Sequence, residues 1–169
     1  VLFVSISSPS PSGFSRNNGP LSGGVLSTLV GQGFGNSNYS PVGFLSITRT
    51  ESTAWMSFSS TRVKIPGGSG SQKSVTLSVA LLFGSLSSAF TYDYLRVSST
   101  RSTNAAATGT QMISLFGINF GLNGLTASSA LGQSASPSTI WRSNTALITR
   151  VSSGFGRGRS VTLSVGLQV

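Results

Sequence analysis

The sequence predicts an all-β chain built as two tandem β-sandwiches, and three observations carry that prediction. The first is an internal repeat. Ser52-Thr53-Ala54-Trp55, running on to Lys73-Ser74-Val75-Thr76-Leu77-Ser78-Val79, returns 86 residues later as Ser138-Thr139-Ile140-Trp141, running on to Arg159-Ser160-Val161-Thr162-Leu163-Ser164-Val165, with no gap between. A repeat of that length is domain-sized, so 169 residues divide into two small units, 1–93 and 94–169. The second observation is period-two alternation of apolar and hydroxyl residues, which places one face of a strand in a core and the other in water. The third is punctuation: 21 Gly and 6 Pro break the chain into short segments, and helical periodicity is nearly absent.

The elements follow in order. Val25-Leu26-Ser27-Thr28-Leu29-Val30 and Gln111-Met112-Ile113-Ser114-Leu115-Phe116 read as equivalent strands. Thr61-Arg62-Val63-Lys64-Ile65 and Ala146-Leu147-Ile148-Thr149-Arg150-Val151 form a second pair, and Val75–Val79 and Val161–Val165 a third. Turn clusters lie between them, Pro66-Gly67-Gly68-Ser69-Gly70 and Ser152-Ser153-Gly154-Phe155-Gly156. Short strands with turns at this spacing argue for sandwiches. The copies differ at their ends. The first continues through Phe90 and Tyr92 into Leu95 and Val97, read as one strand that closes the first unit and opens the second. The second copy reads as lacking that closing strand.

Composition narrows the function classes. Cysteine is absent, so disulfides and thiolate metal sites are excluded. Histidine is absent too, and the only carboxylates, Glu51 and Asp93, are far apart, which leaves almost no material for acid–base catalysis or metal ligation. No enzyme activity and no cofactor are expected. The chain carries net charge +9, with the first unit at 5 − 2 = +3 and the second at 6 − 0 = +6 when split after Asp93. The eleven cations are dispersed, with Arg157 and Arg159 close together but no longer basic run, so a nucleic-acid partner is disfavoured. Serine and threonine supply the polarity, a surface suited to sugars or to close assembly. No apolar run is long enough to span a membrane as a helix. The chain begins with Val, so a processed or excerpted protein remains open.

A strand ending Gly31-Gln32-Gly33-Phe34-Gly35, the Trp55-Met56-Ser57 step, the Gly-rich loop and the closing Val75–Val79 strand, repeated in the same order, resemble the IPT/TIG family. These are the immunoglobulin-like domains of plexin-type receptors and of some transcription factors. The resemblance covers nearly the whole chain twice, and it implies two tandem immunoglobulin-like sandwiches with a linking or binding role. The family's frequent cysteines are missing here. Gly154-Phe155-Gly156-Arg157-Gly158-Arg159-Ser160 superficially matches a phosphate loop, but Ser153 replaces its first Gly, Arg replaces Lys, and a strand follows instead of a helix. It reads as a turn. Trp55 and Trp141 occupy equivalent places, which favours packing over a sugar platform.

Ser8-Pro9-Ser10-Pro11-Ser12 resembles the Ser-Pro runs of algal and plant wall glycoproteins, and Asn38-Tyr39-Ser40 is an N-glycosylation sequon. Covalent glycans are therefore expected at these residues. The assembly expectation rests on the missing strand. Val1, Leu2, Phe3, Val4 and Ile6 form a strand-like peptide, and Val161, Leu163, Val165, Leu167 and Val169 form an acceptor edge. Donation from one copy to the next is heterologous and would build a helical filament. Aligning Ile6 with Val97 and Val4 with Leu95 leaves only Val1 and Phe3 at the closing-strand position. The expected function is thus an extracellular, glycosylated structural subunit that assembles head to tail. The alternative is the ectodomain of a surface receptor or adhesin that binds a protein or an acidic glycan.

Overall fold

A computed structural model describes residues 7–122 and 125–166. Every regular element among them is a strand. Two units form: Val1–Gly19, Gly23–Pro66 and Ser71–Tyr92 make the first, and Pro20–Ser22, Gly67–Gly70 and Asp93–Val169 the second.

The first unit contains β1 (Ser10–Phe14), β2 (Asn18–Gly19), β3 (Leu26–Gln32), β4 (Val42–Leu45), β5 (Thr48–Arg49), β6 (Ser52–Ser57), β7 (Ser60–Lys64), β8 (Lys73–Val79) and β9 (Leu82–Tyr92). They form two sheets, β1-β3-β7-β6 and β2-β9-β8-β4-β5. The second unit contains β10 (Arg96–Arg101), β11 (Met112–Ile118), β12 (Ala127–Leu131), β13 (Ser134–Ala135), β14 (Ser138–Ser143), β15 (Ala146–Arg150) and β16 (Val161–Val165). Its sheets are β10-β11-β15-β14 and β13-β12-β16. These are two tandem immunoglobulin-like sandwiches in an all-β chain. In each, alternation buries one face: Leu29, Val63, Leu77 and Phe34 in the first, and Leu115, Leu147, Leu163 and Phe120 in the second.

The repeat is reproduced in three dimensions. The tip of β3 is capped by a tight loop in which Gly33 and Gly35 adopt φ of 74° and 89°, and the corresponding Asn119 and Gly121 adopt 60° and 70°. Asn is the residue that best tolerates the left-handed region without being Gly. Phe34 N–H donates to Phe58 O and Phe120 N–H to Asn144 O, both at 2.9 Å. The indole of Trp55 donates to the carbonyls of Phe34 (3.1 Å) and Gly35 (3.2 Å). Trp141 does the same to Phe120 and Gly121, each at 3.2 Å. Each Trp is only half-buried. It pins a loop as well as packing, which gives the repeated Trp and Gly-x-x-Phe-Gly a common reason.

Two expectations about the closing strand change. β9 and β10 are separate strands joined by Asp93, Tyr94 and Leu95, rather than one continuous strand. The registers also correct the alignment of the N-terminal residues. Ser10 faces Gln32 and Pro11 faces Gly31, as Arg96 faces Ile118 and Val97 faces Gly117. Val97 is therefore the counterpart of Pro11, not of Ile6. The same offset places Val4 with Phe90 and Ile6 with Tyr92. The sequence alignment slipped because neither β1 (Ser10–Phe14) nor β10 (Arg96–Arg101) carries an apolar alternation that would fix its register.

Candidate functional site

In the first unit the end of β9 is held on all sides. Phe90 faces Lys73 of β8 across the ladder, while Thr91 and Tyr92 pair in parallel with Asn18 and Gly19 of β2. Thr91 N–H donates to Asn17 O at 2.8 Å, and Gln72 N–H donates to Thr91 Oγ1 at 3.3 Å. Phe90 packs edge-on against Phe14 (centroids 6.3 Å apart) and Tyr92 (5.2 Å). The Tyr92 hydroxyl donates to Pro66 O at 2.6 Å. Burial, with a smaller contribution from the nearby Glu51 carboxylate, pushes the Tyr92 phenol up to about 12.

The second unit has the same walls. Among the described residues, β16 pairs only with β12, whereas β8 pairs with both β4 and β9. Along the far side of β16 runs an open cleft of about 690 Å³. Thr100, Thr103, Asn104, Ala105, Ser152 and Arg159 all line it, and at the 86-residue offset they are the counterparts of Phe14, Asn17, Asn18, Gly19, Pro66 and Lys73. Every residue that seats Phe90–Tyr92 in the first unit thus has its equivalent on the cleft. Burial follows: Leu45 and Val75 are buried, while their equivalents Leu131 and Val161 are only half-buried and line the cleft. The loop between β15 and β16 forms part of the wall, and there Arg159 Nη2 donates to Phe155 O at 2.5 Å.

The residues singled out from sequence fall as follows. On the acceptor strand, Leu163 and Val165 face the core and Val161 is half-buried. Leu167 and Val169, and the donor residues Val1, Leu2, Phe3, Val4 and Ile6, lie outside the described residues. Asn38 is exposed, and its Oδ1 accepts from Ser40 N–H at 3.0 Å, a local turn that presents the sequon. Ser8, Ser10 and Ser12 are exposed, whereas Pro9 and Pro11 are buried, so the run offers hydroxyls rather than prolines to the surface. The walls of the cleft at Thr100, Asn104, Ala105 and Ser152 were missed, although the repeat offset already linked them to Phe14, Asn18, Gly19 and Pro66. Among the described residues no cluster of three or more acidic, His or Cys side chains is placed to hold a metal ion. No helix there is long and apolar enough to cross a membrane.

The architecture is that of tandem immunoglobulin-like modules, and solved structures share it. A surface glycan-binding protein from Prevotella bryantii superimposes with a TM-score of 0.51 at 12% identity, over 95% of this chain and 39% of that one. The extracellular region of plexin A4 matches 98% of this chain and 16% of its own, at 15% identity and a TM-score of 0.44. A tandem from titin matches 94% and 61%, at 10% identity and a TM-score of 0.41. The chain spans less than two thirds of each of these structures. No protein-family model matches the chain, and no curated protein does.

Proposed function

We propose that this chain is a non-catalytic module of an extracellular or cell-surface protein, of the receptor or adhesin kind, that docks an extended polypeptide strand in the cleft of its second sandwich. The observation that supports this reading is the one-to-one correspondence between the cleft walls and the seat of Phe90–Tyr92. A sheet edge with its core residues half-covered gains both ladder hydrogen bonds and apolar burial when a strand is added. We read the tandem as IPT/TIG-type, with division into domains 1–93 and 94–169. Surface location accords with a hydroxyl-rich, charge-poor exterior and with the exposed Asn38, Ser8, Ser10 and Ser12, at which we propose glycosylation.

The test is a self-complemented chain in which residues 81–92, carrying Phe90→Val to suit the shallower seat beside Ala105, are grafted after Gly166. The grafted strand is expected to raise the unfolding midpoint of the second sandwich, read by Trp141 fluorescence in a Trp55→Phe background. An unchanged midpoint would reject the reading.

A second reading makes the partner another copy and the product a structural filament. The corrected register favours it, since the offset carries residues 4–6 onto the end of β9.

A further inference from the structure

We infer that the cleft of the second sandwich is shaped for residues 1–6 of a second copy of this chain, with Val4 and Ile6 seated where Phe90 and Tyr92 sit in the first. This rests on the strand-docking reading above and names its occupant. The pattern agrees residue by residue. Phe90-Thr91-Tyr92 is apolar, hydroxyl, apolar, and Val4-Ser5-Ile6 repeats that order at the 86-residue offset. In both cases three residues follow before the next strand, 93–95 before β10 and 7–9 before β1.

The differences between the two seats also match. A Cβ added to Gly19 would lie 3.1 Å from the tip of the Phe90 ring. The second unit carries that Cβ, as Ala105, so the depth used by a phenyl ring is taken up. Phe14, against which Phe90 packs, is replaced by Thr100, so an aromatic occupant would lose its edge contact as well. A shorter aliphatic such as Val4 suits this seat better than Phe. Ser5 retains the hydroxyl that, as Thr91 Oγ1, accepts from Gln72 N–H, and Gly158 supplies the equivalent N–H. Pro66 is buried and accepts from the Tyr92 hydroxyl, whereas Ser152 stays half-exposed, so Ile6 need not supply a donor there. The segment also contains no charged side chain, so seating it buries none. Because donor and acceptor are different surfaces, each copy offers one of each, and the contact is heterologous and can pass from copy to copy.

Two variants separate the surfaces: Ile6→Asp spoils the donor, and Val161→Lys spoils the acceptor. The full chain is expected to polymerise with concentration, by light scattering and electron microscopy. Each variant alone should remain near 17.3 kDa. A buried charge should raise the concentration needed for assembly by about 100-fold or more. An equimolar mixture should stop at a dimer, because an intact donor remains on one partner and an intact acceptor on the other. Circular dichroism of each variant establishes that it is folded. The chain carrying residues 81–92 with Phe90→Val after Gly166 should be monomeric while Ile6→Asp within it changes nothing further. Unimpaired polymerisation of Ile6→Asp, or variants that fail to pair when mixed, would overturn the inference. A stabilised grafted chain together with a wild type that stays monomeric would remove this occupant while leaving strand docking in place.

Discussion

The hydroxyl of Tyr92 donates to the carbonyl oxygen of Pro66 at 2.6 Å, and both residues are buried. Tyr92→Phe leaves that carbonyl without its donor inside the first sandwich. Its loss should cost about 1–3 kcal/mol, measured by urea unfolding with the Trp55 signal followed in a Trp141→Phe background.

The same phenol gives the first sandwich an alkaline limit. Its value is raised from 10.0 to about 12 by burial first and by the Glu51 carboxylate second. The folded chain therefore holds the proton more tightly than the unfolded one. The stabilisation is complete below pH 10 and is lost as pH rises towards 12. Unfolding midpoints should fall across that window, and Tyr92→Phe should flatten the fall. Glu51→Gln should shift the onset of phenolate absorbance to lower pH.

Thr61 is fully buried, and its hydroxyl has no hydrogen-bond partner, whereas the equivalent residue of the second unit is Leu147. An unsatisfied buried hydroxyl is destabilising, and valine has nearly the same shape. Thr61→Val should stabilise the chain by about 1 kcal/mol in the same unfolding measurement. Destabilisation would show that the hydroxyl has a partner.

Trp55 and Trp141 each bridge two loop carbonyls with one N–H. Replacing either with Phe keeps most of the apolar contact and removes the donor. Each change should cost about 1–2 kcal/mol and should affect only its own unit. Amide exchange at Gly35 or Gly121 would report the released loop.

Gly117 lies against β10 so closely that a Cβ would run into the carbonyl oxygen of Arg96, and Gly31 stands the same way against Ser10. Gly117→Ala should displace β10 and cost about 2 kcal/mol or more, since backbone rather than a flexible side chain must move. Thermal unfolding measures it.

Much of the architecture was legible because its signals are local. The alternation of Val75-Thr76-Leu77-Ser78-Val79 specifies a strand with one buried face, and its recurrence at Val161–Val165 specifies a second sandwich. The Trp and the Gly-x-x-Phe-Gly loop were legible as a repeat but not as a hydrogen-bonded pair, because they meet across about 20 residues of chain. The acceptor strand was visible, yet the cleft beside it was not. Its walls are a Thr from β10 and an Asn, an Ala and a Ser from two loops, residue types that signal nothing individually. Val97 was misaligned because apolar pattern alone sets register poorly where Pro interrupts a strand.

By itself the sequence determined the all-β class, the tandem repeat and the poverty of catalytic groups, since each follows from residue type and spacing along the chain. Only the tertiary structure decided which strands are neighbours, that Val97 is the counterpart of Pro11, and that Ala105, Thr100 and Ser152 converge on one cleft. Those are relations between residues distant in sequence, and they are set by ladder pairing and core packing rather than by local preference.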